Sequence, residues 1–245
     1  MKKYCPQSFR VFVDEYFHLI ECISNFLSRE NKAYELGKYR NKVTPPMEKM
    51  MAAFSLVSFD PDGLMPNSIK AVFVFMDAYP RKGAACGVPV VTLDGQIQPT
   101  LANLYKRLKE TYKIPTYSAS YDDLDHKDKW EDSVLAFERG ILPEELPDGD
   151  IRGLSSEGVF FLNCALTTRE NEIKVHIDEW SLITEPLIKW LSRTFPFLVF
   201  VFFGKEAQNY SSHVSASKHK IICTSHPSNA GYNAGFGNSN IQRSE

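Results

Sequence analysis

Four short apolar runs punctuate the chain, at residues 71–75, 159–162, 198–203 and 220–223, each rich in Val, Ile, Phe or Leu and without polar alternation. A strand with one face in water has to alternate apolar and polar positions, so uninterrupted runs of this length predict strands buried on both faces. Between them, 100–110 and 178–192 repeat their apolar positions at the 3.6-residue spacing of a helix. Strands alternating with helices predict an α/β fold, a three-layer α/β/α arrangement around a central four-stranded parallel sheet. Pro186 falls inside the second helical segment, where it is expected to kink the helix or mark the boundary of its first turns.

Ahead of the first run, 9–27 reads as an amphipathic helix with Val11, Phe12, Tyr16, Leu19, Ile20, Ile23 and Leu27 near one face. The expected division is a helical extension over 1–60, packed on the sheet, followed by the main α/β domain over 61–245. Within that domain 117–150 is acidic and reads as a surface insertion, and the Gly- and Asn-rich tail from Asn229 reads as loop.

Composition adds mostly exclusions. At 245 residues, 43% hydrophobic and 24% charged, the chain fits one soluble core. No apolar run reaches the roughly 18–20 residues that span a bilayer. The start, Met1-Lys2-Lys3-Tyr4-Cys5, lacks the apolar stretch and cleavage site of a secretory signal, so an intracellular protein is expected. Five scattered cysteines (Cys5, Cys22, Cys86, Cys164, Cys223) show no metal or dithiol spacing and are expected as reduced thiols packed as small hydrophobes. With a net charge of −2, any binding to nucleic acid must rest on a local basic surface and on backbone amides.

The chemistry sits just past each run. The first leads into Met76-Asp77-Ala78-Tyr79-Pro80, the second into Asn163-Cys164-Ala165, the third into Gly204-Lys205 and the fourth into Ser225-His226-Pro227-Ser228. In an open parallel sheet the carboxyl ends of the strands converge on one crevice, where such folds place ligands. Singly, an Asp after a strand is a common turn or cap residue, an Asn a turn residue, and a His before proline a structural one. One Asp, one Asn and one His at successive strand ends form a pattern that these separate readings do not explain. The other histidines have no metal-ligand spacing with His226, and neither G-x-G-x-x-G nor a Walker A sequence occurs.

These motifs resemble those of the family-1 uracil-DNA glycosylases. Asp77-Ala78-Tyr79-Pro80-Arg81-Lys82-Gly83, followed by Gly87-Val88-Pro89, is similar to the family's water-activating loop, and its Asp-x-Tyr-Pro form is closest to the poxvirus-like viral branch. Gln98-Pro99-Thr100-Leu101 resembles the proline-rich loop and Gly158 to Thr167 the uracil-recognition strand. Phe203-Gly204-Lys205 resembles the Gly-Ser loop, and His226-Pro227-Ser228 the minor-groove loop. The match runs in unbroken order over roughly 68–240.

The resemblance implies the uracil-DNA glycosylase fold and hydrolysis of the N-glycosidic bond of a deoxyuridine flipped out of DNA, without metal or cofactor. It implies Asp77 and His226 as catalytic residues. Met76, Tyr79, Val90 and Asn163 would bind the base, and Thr100, Gly204, Lys205, Ser228 and Ala230 would touch DNA. Met76, Ala78 and Pro80 stand where the family has Gln, Pro and His. Val90 replaces a Phe that stacks on uracil, removing a face worth about 1–3 kcal/mol, and Ala230 replaces a Leu wedge. The expected partner is uracil-containing DNA, with no membrane. A second reading is a glycosylase-fold DNA-binding scaffold or processivity subunit with weak or no catalysis, partnered by viral replication proteins in the nucleus or cytoplasm of a host cell.

Overall fold

The computed structural model describes residues 7–46, 48–65, 67–93, 97–112 and 151–233. Along them the chain forms α1 (Arg10–Glu15), α2 (Phe17–Glu35), β1 (Val43–Thr44), β2 (Ala71–Asp77), α3 (Pro99–Tyr112) and α4 (Arg152–Ser156). There follow β3 (Val159–Ala165), β4 (Thr168–Arg169), α5 (Ile177–Thr194), β5 (Val199–Phe203), α6 (Lys205–Gln208), β6 (Lys220–Thr224) and α7 (Asn229–Asn233). The acidic segment 117–150 and Cys5 lie outside the described residues.

The four apolar runs become one parallel sheet of order β3-β2-β5-β6. The pleat explains why they need no polar positions, because each strand supplies both faces with apolar side chains. Val72, Val74, Phe160, Leu162, Phe200 and Phe202 share a core with Trp180, Ile183, Leu187 and Leu191 of α5. Phe73, Phe75, Phe161, Val201 and Phe203 pack with Leu101, Leu104 and Tyr105 of α3 and with Leu154. The result is three layers, helix on sheet on helix.

Three local expectations need correction. The N-terminal helix breaks at Tyr16 (φ −111°, ψ 26°) and then runs on to Glu35. Phe12, Ile20, Ile23 and Leu27 are buried on one face that runs across the break, while Val11, expected on that face, is exposed. Its main packing partner is α5 rather than the sheet itself, with Phe9 and Phe12 meeting Trp190 edge-on. Helix α5 is continuous through Pro186, which therefore marks no helix boundary; Leu182, whose carbonyl loses that partner, is half-exposed. The start of the expected tail loop is helical, as α7. Of the described cysteines only Cys164 is fully buried, and Cys22 and Cys223 are exposed.

A two-stranded antiparallel pair, β1 with β4, ties the N-terminal region to the segment after β3. A buried polar chain strengthens that tie. Trp180 Nε1 donates to Thr167 Oγ1 (2.7 Å), whose own hydrogen is left for His176 Nδ1 (3.0 Å). His176 Nε2 then faces Glu30 Oε2 at 3.3 Å, and Arg169 Nε donates to the same carboxylate oxygen at 2.8 Å.

Candidate active site

Strand parity brings the first two groups together. Phe73 and Phe75 of β2 and Phe161 of β3 lie at odd positions and pack against α3, and Asp77 and Asn163 follow two residues after Phe75 and Phe161 toward the strand ends. The register sets Phe75 beside Asn163 and Asp77 beside Ala165, at the carboxyl end of the sheet. The third group arrives with the turn after β6, which is held to α3 by Asn103 Nδ2 donating to the Pro227 carbonyl (2.8 Å) and to Asn229 Oδ1 (3.2 Å). Asp77, Asn163 and His226 therefore line a single cavity of about 180 Å³. That volume lies below the roughly 300–1,000 Å³ of sites for drug-sized ligands, and suits a smaller group such as one base.

Each of the three is held in a state that chemistry can use. Burial raises Asp77 above its ordinary carboxylate value, against the opposing pull of the Lys174 backbone N–H and ammonium. The Lys174 N–H donates to Asp77 Oδ2 at 2.7 Å, leaving Oδ1 for a ligand. Burial lowers His226, favouring the neutral imidazole. Its Nδ1 accepts the Ser228 N–H at 3.1 Å, so the ring proton belongs on Nε2, as a donor. Asn163 is buried, at 7% exposure. Among the described residues its carboxamide has no hydrogen-bond partner, and it lines the cavity, where its donor and acceptor are open to a ligand.

The cavity wall also contains Met76, Tyr79, Val90 and Thr100. Burial pushes the Tyr79 phenol up to about 12, with the Thr100 side chain opposing, so the ring stays uncharged. Val90 adopts φ 61°, a left-handed conformation that β-branched residues rarely take, and is nearly fully buried.

Four sequence-assigned DNA-contact residues do not line the cavity. Gly204 sits behind His226, where an added Cβ would lie 3.2 Å from the His226 Cβ. Lys205 is exposed at the start of α6, and Ala230 is exposed in α7. Ser228 is taken up locally, with its N–H on the imidazole and its Oγ accepting from Gly231 N at 3.4 Å.

The sequence reading missed Phe75, Cys86, Leu166 and Ile173, which also line the cavity. Phe75 was open to discovery, since a residue two before Asp77 on a strand shares its face. Its ring stacks on Phe203 (4.6 Å between centroids, 9° between planes) and meets His226 edge-on at 6.1 Å. No local pattern marks Ile173 or Lys174.

No protein-family model matches the chain. The uracil-DNA glycosylase of Borrelia turicatae is 29% identical over 218 residues, covering 88% of this chain and 79% of that protein. The uracil-DNA glycosylase 2 of Bacteroides fragilis is 25% identical, covering 95% and 86%. Among solved structures, the mimivirus uracil-DNA glycosylase superposes with a TM-score of 0.64 at 23% identity, covering 94% of this chain and 71% of that one.

Proposed function

We propose that this chain, a divergent member of the uracil-DNA glycosylase superfamily with that family's fold, hydrolyses the N-glycosidic bond of deoxyuridine extruded from DNA. One observation carries the reading. A half-buried carboxylate and a neutral imidazole with its proton on Nε2 line the same small cavity as a carboxamide without a partner among the described residues.

Breaking the bond builds positive charge on the sugar and negative charge on the departing base. Asp77 stabilises the sugar cation through Oδ1 and orients the incoming water. The bond's electron pair leaves with uracil, whose carbonyl next to the broken bond accepts from His226 Nε2. Asn163 offers one donor and one acceptor to the uracil edge, a combination that cytosine cannot match. Tyr79 fills the space that a thymine methyl group would need. Thr100, Gly204, Lys205, Ser228 and Ala230 are carried forward as DNA contacts of the surrounding surface, where phosphates position the strand and the cavity reads the base.

The direct test is incubation with an oligonucleotide carrying one uracil, followed by alkali to cut at abasic sites. Cutting at that position, and none in the matched thymine strand, is the expected result; an intact uracil strand would overturn the proposal and leave the scaffold reading.

Selectivity gives a sharper check. Asn163→Asp replaces donor plus acceptor by acceptors, and Tyr79→Ala opens the methyl space. Their preferences for uracil over cytosine and over thymine, respectively, are expected to fall by about 10²-fold. Competition assays with mixed substrates measure both ratios, and unchanged ratios would remove the two residues from base recognition.

A further inference from the structure

Between β4 and α5 the chain makes a turn bolted to the catalytic loop at two points. Asn171 N–H donates to the Pro80 carbonyl at 2.7 Å, and Lys174 N–H to Asp77 Oδ2 at 2.7 Å. Asn171 (φ 59°) and Lys174 (φ 64°) both occupy the left-handed region, a strain that persists only where surrounding contacts impose it. Those contacts are present. Lys174 Nζ bonds Glu206 Oε1 at 2.6 Å, and Thr168 Oγ1 donates to the Glu172 carbonyl at 2.8 Å. Arg169, which begins the turn, is anchored on Glu30.

Ile173 stands between the two strained residues. It lines the cavity, yet 56% of its surface is exposed, and it belongs to neither hydrophobic cluster. A large apolar side chain displayed on a strained turn at the rim of the cavity, outside both hydrophobic clusters, has no packing role to account for it. Its β-branched side chain is stiff, so it presents a preformed surface to whatever enters.

We infer that Ile173 is a substrate-contact residue, an apolar lip that packs on the deoxyribose and adjoining base as the nucleotide enters the cavity. The inference rests on the uracil-excision reading above. The polar groups engage the base and the glycosidic bond, so the apolar faces of the sugar and of the neighbouring base are left for the lip.

The test is steady-state kinetics of Ile173→Ala and Ile173→Leu on the uracil oligonucleotide, with affinity for an oligonucleotide carrying a tetrahydrofuran abasic analogue. Ile173→Ala is expected to raise KM and the analogue Kd about tenfold, the size expected for loss of several buried methyl and methylene groups. Its kcat and the acid limb of its pH profile should match wild type, because the Lys174 amide still holds Asp77. Its Tm should also hold, because the side chain is exposed. Ile173→Leu should recover most of the affinity.

Unchanged KM and Kd in Ile173→Ala would overturn the inference, as would a changed kcat and pH profile at constant KM, which would make the residue a positioning one. If wild type releases no uracil, the excision reading fails alone. The analogue Kd still decides the lip: about tenfold weaker binding by Ile173→Ala supports it and equal binding ends it.

Discussion

Asp77→Asn is expected to lower kcat by about 10²–10⁴-fold, the usual contribution of a positioned acid-base group, while leaving the protein at least as stable as wild type near pH 7. Both halves follow from one environment. The carboxylate is needed as an anion opposite the sugar cation, but burial raises its proton affinity above that of an ordinary aspartate. The wild-type rate should therefore fall with acid at a higher pH than an ordinary aspartate would dictate.

The stability effect has the opposite sign. A folded-state value above the unfolded one means that the fold binds the proton more tightly. Asp77 thus favours the folded state below about 3.8, and that contribution is lost as pH rises through the raised folded value. Asn at this position carries no charge into the cavity and can still accept the Lys174 N–H. Rate measurements from pH 4 to 8, with thermal melts of both proteins over the same range, check the two halves together. An Asn variant that keeps its rate would remove Asp77 from the chemistry, and one that melts far lower at neutral pH would give the carboxylate a structural role instead.

Gly231→Ala carries the second large effect, through a residue that touches no substrate. A Cβ at this position would lie 1.9 Å from the His226 carbonyl oxygen and 2.9 Å from its carbonyl carbon. Both are backbone atoms, so relief requires the whole His226 turn to shift rather than a side chain to swing aside. That turn also holds the imidazole through the Ser228 N–H and receives the Asn103 tether from α3. A displacement on the order of 1 Å typically costs about 10²-fold in rate, and that loss in kcat is the expected outcome. The imidazole resonances should move with it, since ring placement and tautomer depend on the Ser228 bond. A Gly231→Ala enzyme with normal kcat would show that the turn absorbs the methyl group without moving His226.

Much of the architecture was legible because its signals are local. An apolar run without alternation can lie only where both faces of a strand are covered, and all four runs start and end within two or three residues of β2, β3, β5 and β6. The 3.6-residue spacing marked α3 and α5 for the same reason. Asp77, Asn163 and His226 could be picked out because parallel strands deliver their carboxyl ends to one side of a sheet, whatever order the strands take. The break at Tyr16 left no mark in the sequence, since the apolar spacing runs across it.

By itself, then, the sequence determined which segments are strands and helices, which faces they bury, and which three polar groups gather at the sheet's end. All of these follow from the period of side-chain direction and the hydrophobic effect. The tertiary structure alone decided the strand order β3-β2-β5-β6, the tautomer of His226, the unpartnered state of Asn163 and the strap that holds Asp77. The Lys174 N–H reaches an aspartate 97 positions earlier, and His176 meets a glutamate 146 positions earlier. Contacts at such separations leave no period in the chain, because they depend on how whole elements are stacked, and that stacking is set by the summed burial of two cores rather than by any one stretch of residues.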